Sequence, residues 1–310
     1  MTRDEHAFTD IIAAARDAGP LPMAVAHPAS REALLGAFEA ADEGLARPIL
    51  VGPRDKLARL AAELERELAD FELIDTPHSH AAAERAVRLV REGHAELLMK
   101  GSLHTDEFME AVLERSAGLR TDRRVSHVFV MKVESYPRYL FITDAAINIE
   151  PDLAAKRDIV QNAIDLTRAL GIATPRVAIL SAVETVNPKL RSTIDAAALC
   201  KMADRGQISG GVLDGPLAFD NAISAEAAAS KGIVSPVAGR PDVLVVPDLE
   251  SGNMLAKQLT YLAAAASAGV VMGARVPIVL TSRADDAAGR LASTAVASLV
   301  AHRRRHGGPL

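Results

Sequence analysis

An α/β fold in two domains is the architecture that the sequence predicts, and three observations predict it. Short apolar runs alternate with helix-length amphipathic stretches along the chain, the pattern of strands joined by crossover helices. Hydrophobic residues make up 49% of the chain but aromatics only 3%, with no Trp, so the core rests on Ala, Val, Leu and Ile. A length of 310 residues exceeds one compact core, which makes two lobes the default.

The elements follow in order. Residues 48–52 (Pro-Ile-Leu-Val-Gly) read as a strand and 54–68 as a charged amphipathic helix. Apolar residues recur at helical spacing over 81–92, with Arg85, Arg88 and Arg91 on other faces. Residues 96–100 form the next strand, and a helix starts from Thr105. Residues 125–133 and 139–143 are extended runs separated by Tyr136-Pro137-Arg138, the signature of an antiparallel hairpin. Pro151-Asp152 opens a long helix that runs to Leu170, with Gly171 just past its end. Residues 177–180 are a strand, 189–203 a helix, and 211–213, 243–246 and 277–280 further strands. A terminal helix spans 287–302, and residues 303–310 read as a frayed basic tail.

Composition excludes several function classes. A net charge of -5 and the scarcity of aromatics argue against a nucleic-acid binder. The single Cys200 rules out an intramolecular disulfide framework and any multi-cysteine zinc site; its helix-like apolar setting favours packing over nucleophilic chemistry. The nine histidines show no His-Glu-x-x-His spacing, so no metal is expected. No Walker loop, no Gly-x-Ser-x-Gly elbow and no Gly-x-Gly-x-x-Gly occurs. The charged start and the shortness of the Ala-rich stretch 262–271 lead to the expectation of a cytoplasmic protein without signal or membrane span.

The chemistry is concentrated where strands end, the place where open α/β sheets bind ligands. Four apolar residues of Val276-Pro-Ile-Val-Leu-Thr-Ser-Arg-Ala-Asp285 give way to hydroxyls, a guanidinium and a carboxylate. There Ser282 can donate to an oxyanion and Arg283 can grip a phosphate through two parallel bonds; a capped strand end with a surface ion pair is the plain alternative. Lys100-Gly101-Ser102-Leu-His104-Thr105 combines a cation, a glycine for close backbone approach and a helix start that suits an anion; ordinary capping by Thr105 is the alternative. Thr143-Asp144 ends another strand. Gly252, Asn253 and Lys257 resemble a second anion-binding helix start, and a solvated lysine is the alternative. Asp214 follows a strand as a carboxylate suited to general base work, or to ordinary Asp-Gly-Pro turn chemistry. Glu184-Thr185-Val-Asn187-Pro188 is a polar loop fit for ligand contact or capping.

Taken together, these loops resemble the phosphate acetyl/butyryltransferase family. The segments that carry the resemblance include Leu97-Leu-Met-Lys-Gly-Ser-Leu-His-Thr-Asp106, Thr143-Asp-Ala-Ala-Ile-Asn148 and Ala182-Val-Glu-Thr-Val-Asn-Pro-Lys189. Asp214-Gly-Pro-Leu-Ala-Phe-Asp-Asn-Ala222, Pro247-Asp-Leu-Glu-Ser-Gly-Asn253 and Leu280-Thr-Ser-Arg-Ala-Asp285 belong to the same series. The match spans roughly residues 31–302, and its wording is closer to the butyryl branch than to the acetyl branch.

The resemblance implies two α/β domains with a cleft between them, like the isocitrate and isopropylmalate dehydrogenases. Residues 1–140 with the returning 287–310 would form the first and residues 141–286 the second. It implies a homodimer or larger assembly and the reversible reaction of acyl-CoA with phosphate, with coenzyme A as substrate and no further cofactor. It assigns Ser282 to the carbonyl oxyanion and Arg283 to phosphate. Lys100, Gly101, Ser102, His104, Thr105, Thr143, Asp144, Asn148, Thr185, Asn187, Gly252, Asn253 and Lys257 become its substrate-binding residues. The acetyl branch has its catalytic aspartate seven residues beyond the serine, where this chain has Gly289, so Asp285, Asp286 or Asp214 must supply the base. That branch also has an arginine where this chain has Ala111; Lys100 or Arg120 can supply the charge. Two rival readings are a non-catalytic acyl-CoA binding or regulatory protein, which Gly289 favours, and an oxidoreductase of the same fold.

Overall fold

The computed structural model describes residues 7–280 and 287–307. In chain order the elements are α1 (Thr9–Ala18), β1 (Leu21–Ala26), α2 (Arg31–Asp42), β2 (Ala46–Gly52), α3 (Arg54–Glu63), β3 (Glu72–Asp75), α4 (Ser79–Arg91), β4 (Leu97–Lys100) and α5 (Thr105–Leu113). The hairpin β5 (Ser126–Lys132) and β6 (Tyr139–Thr143) follows. Then come α6 (Leu153–Ala169), β7 (Arg176–Leu180), α7 (Arg191–Asp204), β8 (Val212–Leu217), α8 (Phe219–Ile223), α9 (Ala225–Ser230), β9 (Val243–Val245) and α10 (Leu249–Leu262). The chain returns through β10 (Ala266–Met272), β11 (Ile278–Val279) and α11 (Ala287–Arg305).

These elements divide into two compact units, one formed by residues 8–123 with 268–307 and labelled the outer unit, the other formed by residues 124–267 and labelled the inner unit. The boundaries differ from those expected at 140/141 and 286/287, the first of which would cut β6 in two. β6 belongs with β5, its antiparallel partner from Val128↔Thr143 to Lys132↔Tyr139.

In the outer unit the strand order is β3-β2-β1-β4-β11-β10. All pairs are parallel except β10 with β11. β1 and β2 are almost wholly buried, which suits the apolar runs of parallel strands covered on both faces. Helices pack in two groups, α4 with α5, and α2 with α1, α3 and α11. In α4, Ala82, Ala83, Ala86, Val87, Leu89 and Val90 are buried while Arg88 and Arg91 face solvent, as the 3.6-residue period requires. α2 starts where Ser30 accepts from Ala33 N, the usual capping bond.

α3 is shorter than expected, because Glu65 adopts φ +56 and Arg66 N turns back to Ala61 O at 2.9 Å, a left-handed helix stop. α11 is longer than expected and takes in the first residues of the basic tail. Its last turn carries His302, Arg303, Arg304 and Arg305, cations that favour a helix C-terminus. Arg304 also donates to Ala274 O and Arg275 O at 3.1 Å, and Arg305 pairs with Glu96 at 2.7 Å.

In the inner unit the order is β5-β6-β9-β7-β8, parallel apart from the hairpin. One core cluster joins Leu140, Ile142, Ala178, Leu180, Leu217, Leu244, Val246 and Ala256. α6 is the most buried helix of this unit; Asp152 caps it through Ala155 N, and Gly171 at φ +92 follows its end. α7 begins at Arg191 rather than 189, since Asn187 Oδ1 accepts from Lys189 N and keeps that stretch in a turn. Lys156 of α6 meets Asp195 of α7 at 2.7 Å, with both side chains under 10% exposed.

Removal of one member of this pair strands the other charge in the interior. Asp195→Ala is expected to destabilise the protein by about 3–5 kcal/mol, whereas the double replacement Lys156→Met, Asp195→Leu stays close to neutral. Urea unfolding of the three proteins measures the difference.

Candidate functional site

Parallel pairing in the outer unit sends the chain out of β1, β2, β3, β4 and β11 along one edge of the sheet. Because β2 lies on one side of β1 and β4 on the other, the order in which strands are added to the sheet reverses between β1 and β4. Such a reversal opens the crevice in which α/β sheets bind ligands. Here the loop after β4 is fastened to the loop after β1: Gly101 N donates to Ala26 O at 2.9 Å and Ser102 N to His27 O at 2.8 Å. A β-carbon at Gly101 would stand 2.5 Å from Ala26 O and 2.6 Å from His27 O, so only glycine fits. The close approach read from the sequence is real, and the other party is the backbone of β1.

Lys100 is buried, and its ammonium donates to Gly101 O at 3.3 Å and Leu103 O at 3.2 Å, which folds the loop around it. Thr105 is the first residue of α5 and not its cap. The cap position belongs to the exposed His104, and no side chain caps this helix. Thr105 is exposed and Ser102 half-buried. Glu107, in the first turn, lies 2.8 Å from His80 Nδ1. His78 is exposed and caps α4 by accepting from Ala81 N. Ala111, the position of the missing arginine, lies on α5, and its two expected alternates differ in setting: Lys100 is buried, whereas Arg120 is exposed in a bridge to Ala274.

Sequence reasoning passed over His27. Its ring sits at the head of the crevice on a residue with φ +52, and its Nδ1 is buried without a hydrogen-bond partner among the described residues. Burial, with Lys56 nearby, holds the imidazole below its ordinary pKa, opposed by Glu107. The signal was available in Leu21-Pro-Met-Ala-Val-Ala-His-Pro28, an apolar run that ends in a histidine.

The inner unit has its own polar edge. Asp144 follows β6 and is buried, with a carboxylate that accepts from Ala146 N, Ile147 N, Asn148 N and Asn148 Nδ2. Burial raises its pKa against these four bonds. Asn148 Nδ2 also donates to Val125 O, and its Oδ1 accepts from Arg124 Nε at 2.7 Å. Thr143 is fully buried and donates to His127 O. Asn253 joins this group through Nδ2 to Ala145 O at 3.2 Å.

Three expectations for this unit are corrected. The helix near Gly252 starts at Leu249, capped by Asp248 through Ser251 N. Gly252 lies within its first turns, where a β-carbon would meet Val246 at 2.7 Å and Ala145 at 2.9 Å, so its smallness serves packing. Asp214 does not follow a strand. It lies inside the edge strand β8 opposite Ala178, with Oδ1 taken by Gly215 N. Three strand spacings, about 14 Å, separate β8 from β6, so Asp214 and Asp144 belong to different neighbourhoods.

Thr185 is exposed, and Asn187 is tied into the turn before α7 by its bonds to Thr193 and Lys189 N. Beside them Lys231 bridges Glu184 and Asp220. Lys257 is exposed. The Cys200 thiol is pushed up to about 12 by burial and the nearby Asp214 and Asp204, which makes it a poor nucleophile. Gly289 is buried in α11, and its carbonyl accepts from Ser293 Oγ. Ser282, Arg283, Asp285 and Asp286 lie outside the described residues. Among the described residues no three His, Cys, Asp or Glu side chains cluster as metal ligands, and no helix is long and apolar enough to cross a membrane.

The family model described as phosphate acetyl/butaryl transferase matches residues 76–298. A phosphate acetyltransferase of Rhizobium meliloti is 66% identical over 298 residues, which cover 96% of this chain and 94% of that protein. A phosphate butyryltransferase of Clostridium acetobutylicum is 43% identical over 95% of this chain and 98% of its own. Among solved structures, a branched-chain phosphotransacylase from Enterococcus faecalis V583 superimposes with a TM-score of 0.80 at 30% identity, over 91% of this chain and 99% of that one.

His127 yields a pH prediction. It is wholly buried on β5, with its pKa lowered from 6.5 to about 4 by burial. Between those values the unfolded chain binds a proton that the folded chain refuses, so stability falls as pH falls through this window. The loss amounts to about 3 kcal/mol by pH 4. Denaturant titrations at pH 7 and pH 4.5 are expected to differ less in His127→Gln than in the parent.

Proposed function

Since the chain belongs to the phosphate acetyl/butaryl transferase family, we propose that it transfers a short acyl group between coenzyme A and inorganic phosphate. Acetyl is the first choice and butyryl the second, because the acetyl-named relative is the more similar of the two. A phosphate oxygen attacks the thioester carbonyl, the carbon–sulfur bond breaks, and the CoA thiolate leaves to take a proton. In the reverse direction the thiol gives up that proton and attacks the acyl phosphate. The observation that carries this reading is the near full-length similarity to a phosphate acetyltransferase.

Such a transfer needs an oxyanion donor, a phosphate clamp and a group that moves the thiol proton. Ser282 takes the first role and Arg283 the second. Asp285 is preferred to Asp214 for the third, because Asp214 is held within an edge strand with one oxygen already bonded. Lys100, Gly101, Ser102, His104 and Thr105 shape the outer edge for an anion. Thr143, Asp144, Asn148, Gly252 and Asn253 build the inner loop, and Thr185, Asn187 and Lys257 offer further contacts. Coenzyme A enters as substrate, and no other cofactor takes part. The setting is cytoplasmic and the assembly a homodimer; the apolar side chains Met254, Tyr261 and Leu262 exposed on α10 suit a subunit contact. A non-catalytic binder is the rival, favoured by Gly289 in place of a carboxylate.

Phosphate-dependent release of free CoA from acetyl-, propionyl- and butyryl-CoA tests the proposal. Turnover is expected with acetyl-CoA; CoA binding without release would leave the binder. Arg283→Ala is expected to lower kcat/KM for phosphate by about 2–4 kcal/mol in transition-state stabilisation. Near-parental activity in that variant would remove Arg283 from the mechanism.

A further inference from the structure

We propose that the His27 side chain hydrogen-bonds a phosphoryl oxygen of the substrate at the carboxyl edge between β1 and β4. The inference rests on the acyl-transfer reading above, because that reading supplies the phosphoryl groups.

Four observations converge on this residue. First, it stands where the strand order reverses within the outer unit, between β1 and β4, the position at which open parallel sheets hold ligands. Second, its backbone is at φ +52, a region in which glycine is relaxed and a residue with a β-carbon is strained. Strain of this kind persists where a side chain has work that glycine cannot do. Third, its Nδ1 is buried without a hydrogen-bond partner among the described residues, although buried polar atoms are almost always bonded. A ligand oxygen would complete it. Fourth, its carbonyl accepts from Ser102 N, so the ring and the loop after β4 are fixed in one register.

The surroundings favour an anion over a neutral ligand. Lys56 is close enough to oppose protonation of the ring and brings a positive charge to it. α5 begins here without a side-chain cap, which leaves N–H groups of its first turn for an acceptor. The acidic neighbour, Glu107, is turned to His80 Nδ1 at 2.8 Å. A neutral imidazole with its proton on Nδ1 can then donate to a phosphate oxygen.

Both inorganic phosphate and coenzyme A bring phosphoryl oxygens, and the test separates them. Kinetics with phosphate, CoA and dephospho-CoA are compared for the parent, His27→Gly and His27→Asn, together with calorimetric Kd values for inorganic phosphate and CoA. His27→Gly relieves the positive φ, so it should fold with equal or higher Tm. Asn tolerates the same conformation and keeps a donor, which guards against any fault particular to glycine.

The expected result is a tenfold or larger rise in KM and Kd for one substrate in His27→Gly, with a smaller rise in His27→Asn. A rise confined to phosphate places the contact on inorganic phosphate. A rise confined to CoA and lost with dephospho-CoA places it on the ribose phosphate, and one kept with dephospho-CoA on the pyrophosphate. Unchanged constants for both substrates in both variants overturn the assignment, as does a parent protein that binds neither. A parent that binds phosphate in a His27-dependent way without turning over acyl-CoA would sink the acyltransferase reading and leave this one standing.

Discussion

Parallel strand pairing is the constraint on which the candidate site depends. Antiparallel strands would distribute their exits between the two ends of a sheet, whereas parallel strands deliver every exit to one edge. Five strands of the outer unit and four of the inner one run this way. Within each unit the polar residues that follow them therefore lie along one edge, although they are far apart in sequence. The helices that return the chain cover the faces and leave the edge open, so the site and the core do not compete for the same surface.

Within those edges, many polar groups are occupied by the protein itself. Asp144 spends both oxygens on the four donors of its own loop, and Lys100 spends its ammonium on two carbonyls. Thr143 is bonded to the neighbouring strand. These residues hold the loop shapes. His27 combines a buried nitrogen that has no hydrogen-bond partner among the described residues with a backbone conformation that glycine would relax.

The acetyl and butyryl readings differ by two methylenes, a small difference to express in a pocket. Gly289 bears on the mechanism in another way. It is buried in a helix and its carbonyl serves Ser293, so the position has been absorbed into the packing of α11. In the proposed reaction a carboxylate base would come from a different segment of the chain, and Asp285 lies four residues earlier in the sequence.

Much of the fold was legible from local signals. The hairpin of β5 and β6, the limits of α6 set by Asp152 and Gly171, and the buried strand at Ile278–Val279 follow from periodicity, caps and breakers. These are properties of neighbouring residues, and a sequence carries them directly. The polar segments at strand ends were legible for the same reason. Tertiary structure decided what each of them does. Gly101 is glycine because β1 passes 2.5 Å from where a β-carbon would be, and Gly252 because Ala145 and Val246 press against it. Asp214 looked like an exit residue, but pairing with β7 extends β8 past it to Leu217. His27 had a local signal in the apolar run that it ends, but its φ and the absence of a partner for Nδ1 among the described residues come from the tertiary structure. Contacts between residues tens of positions apart set these roles, and no local pattern of residue types encodes such distances.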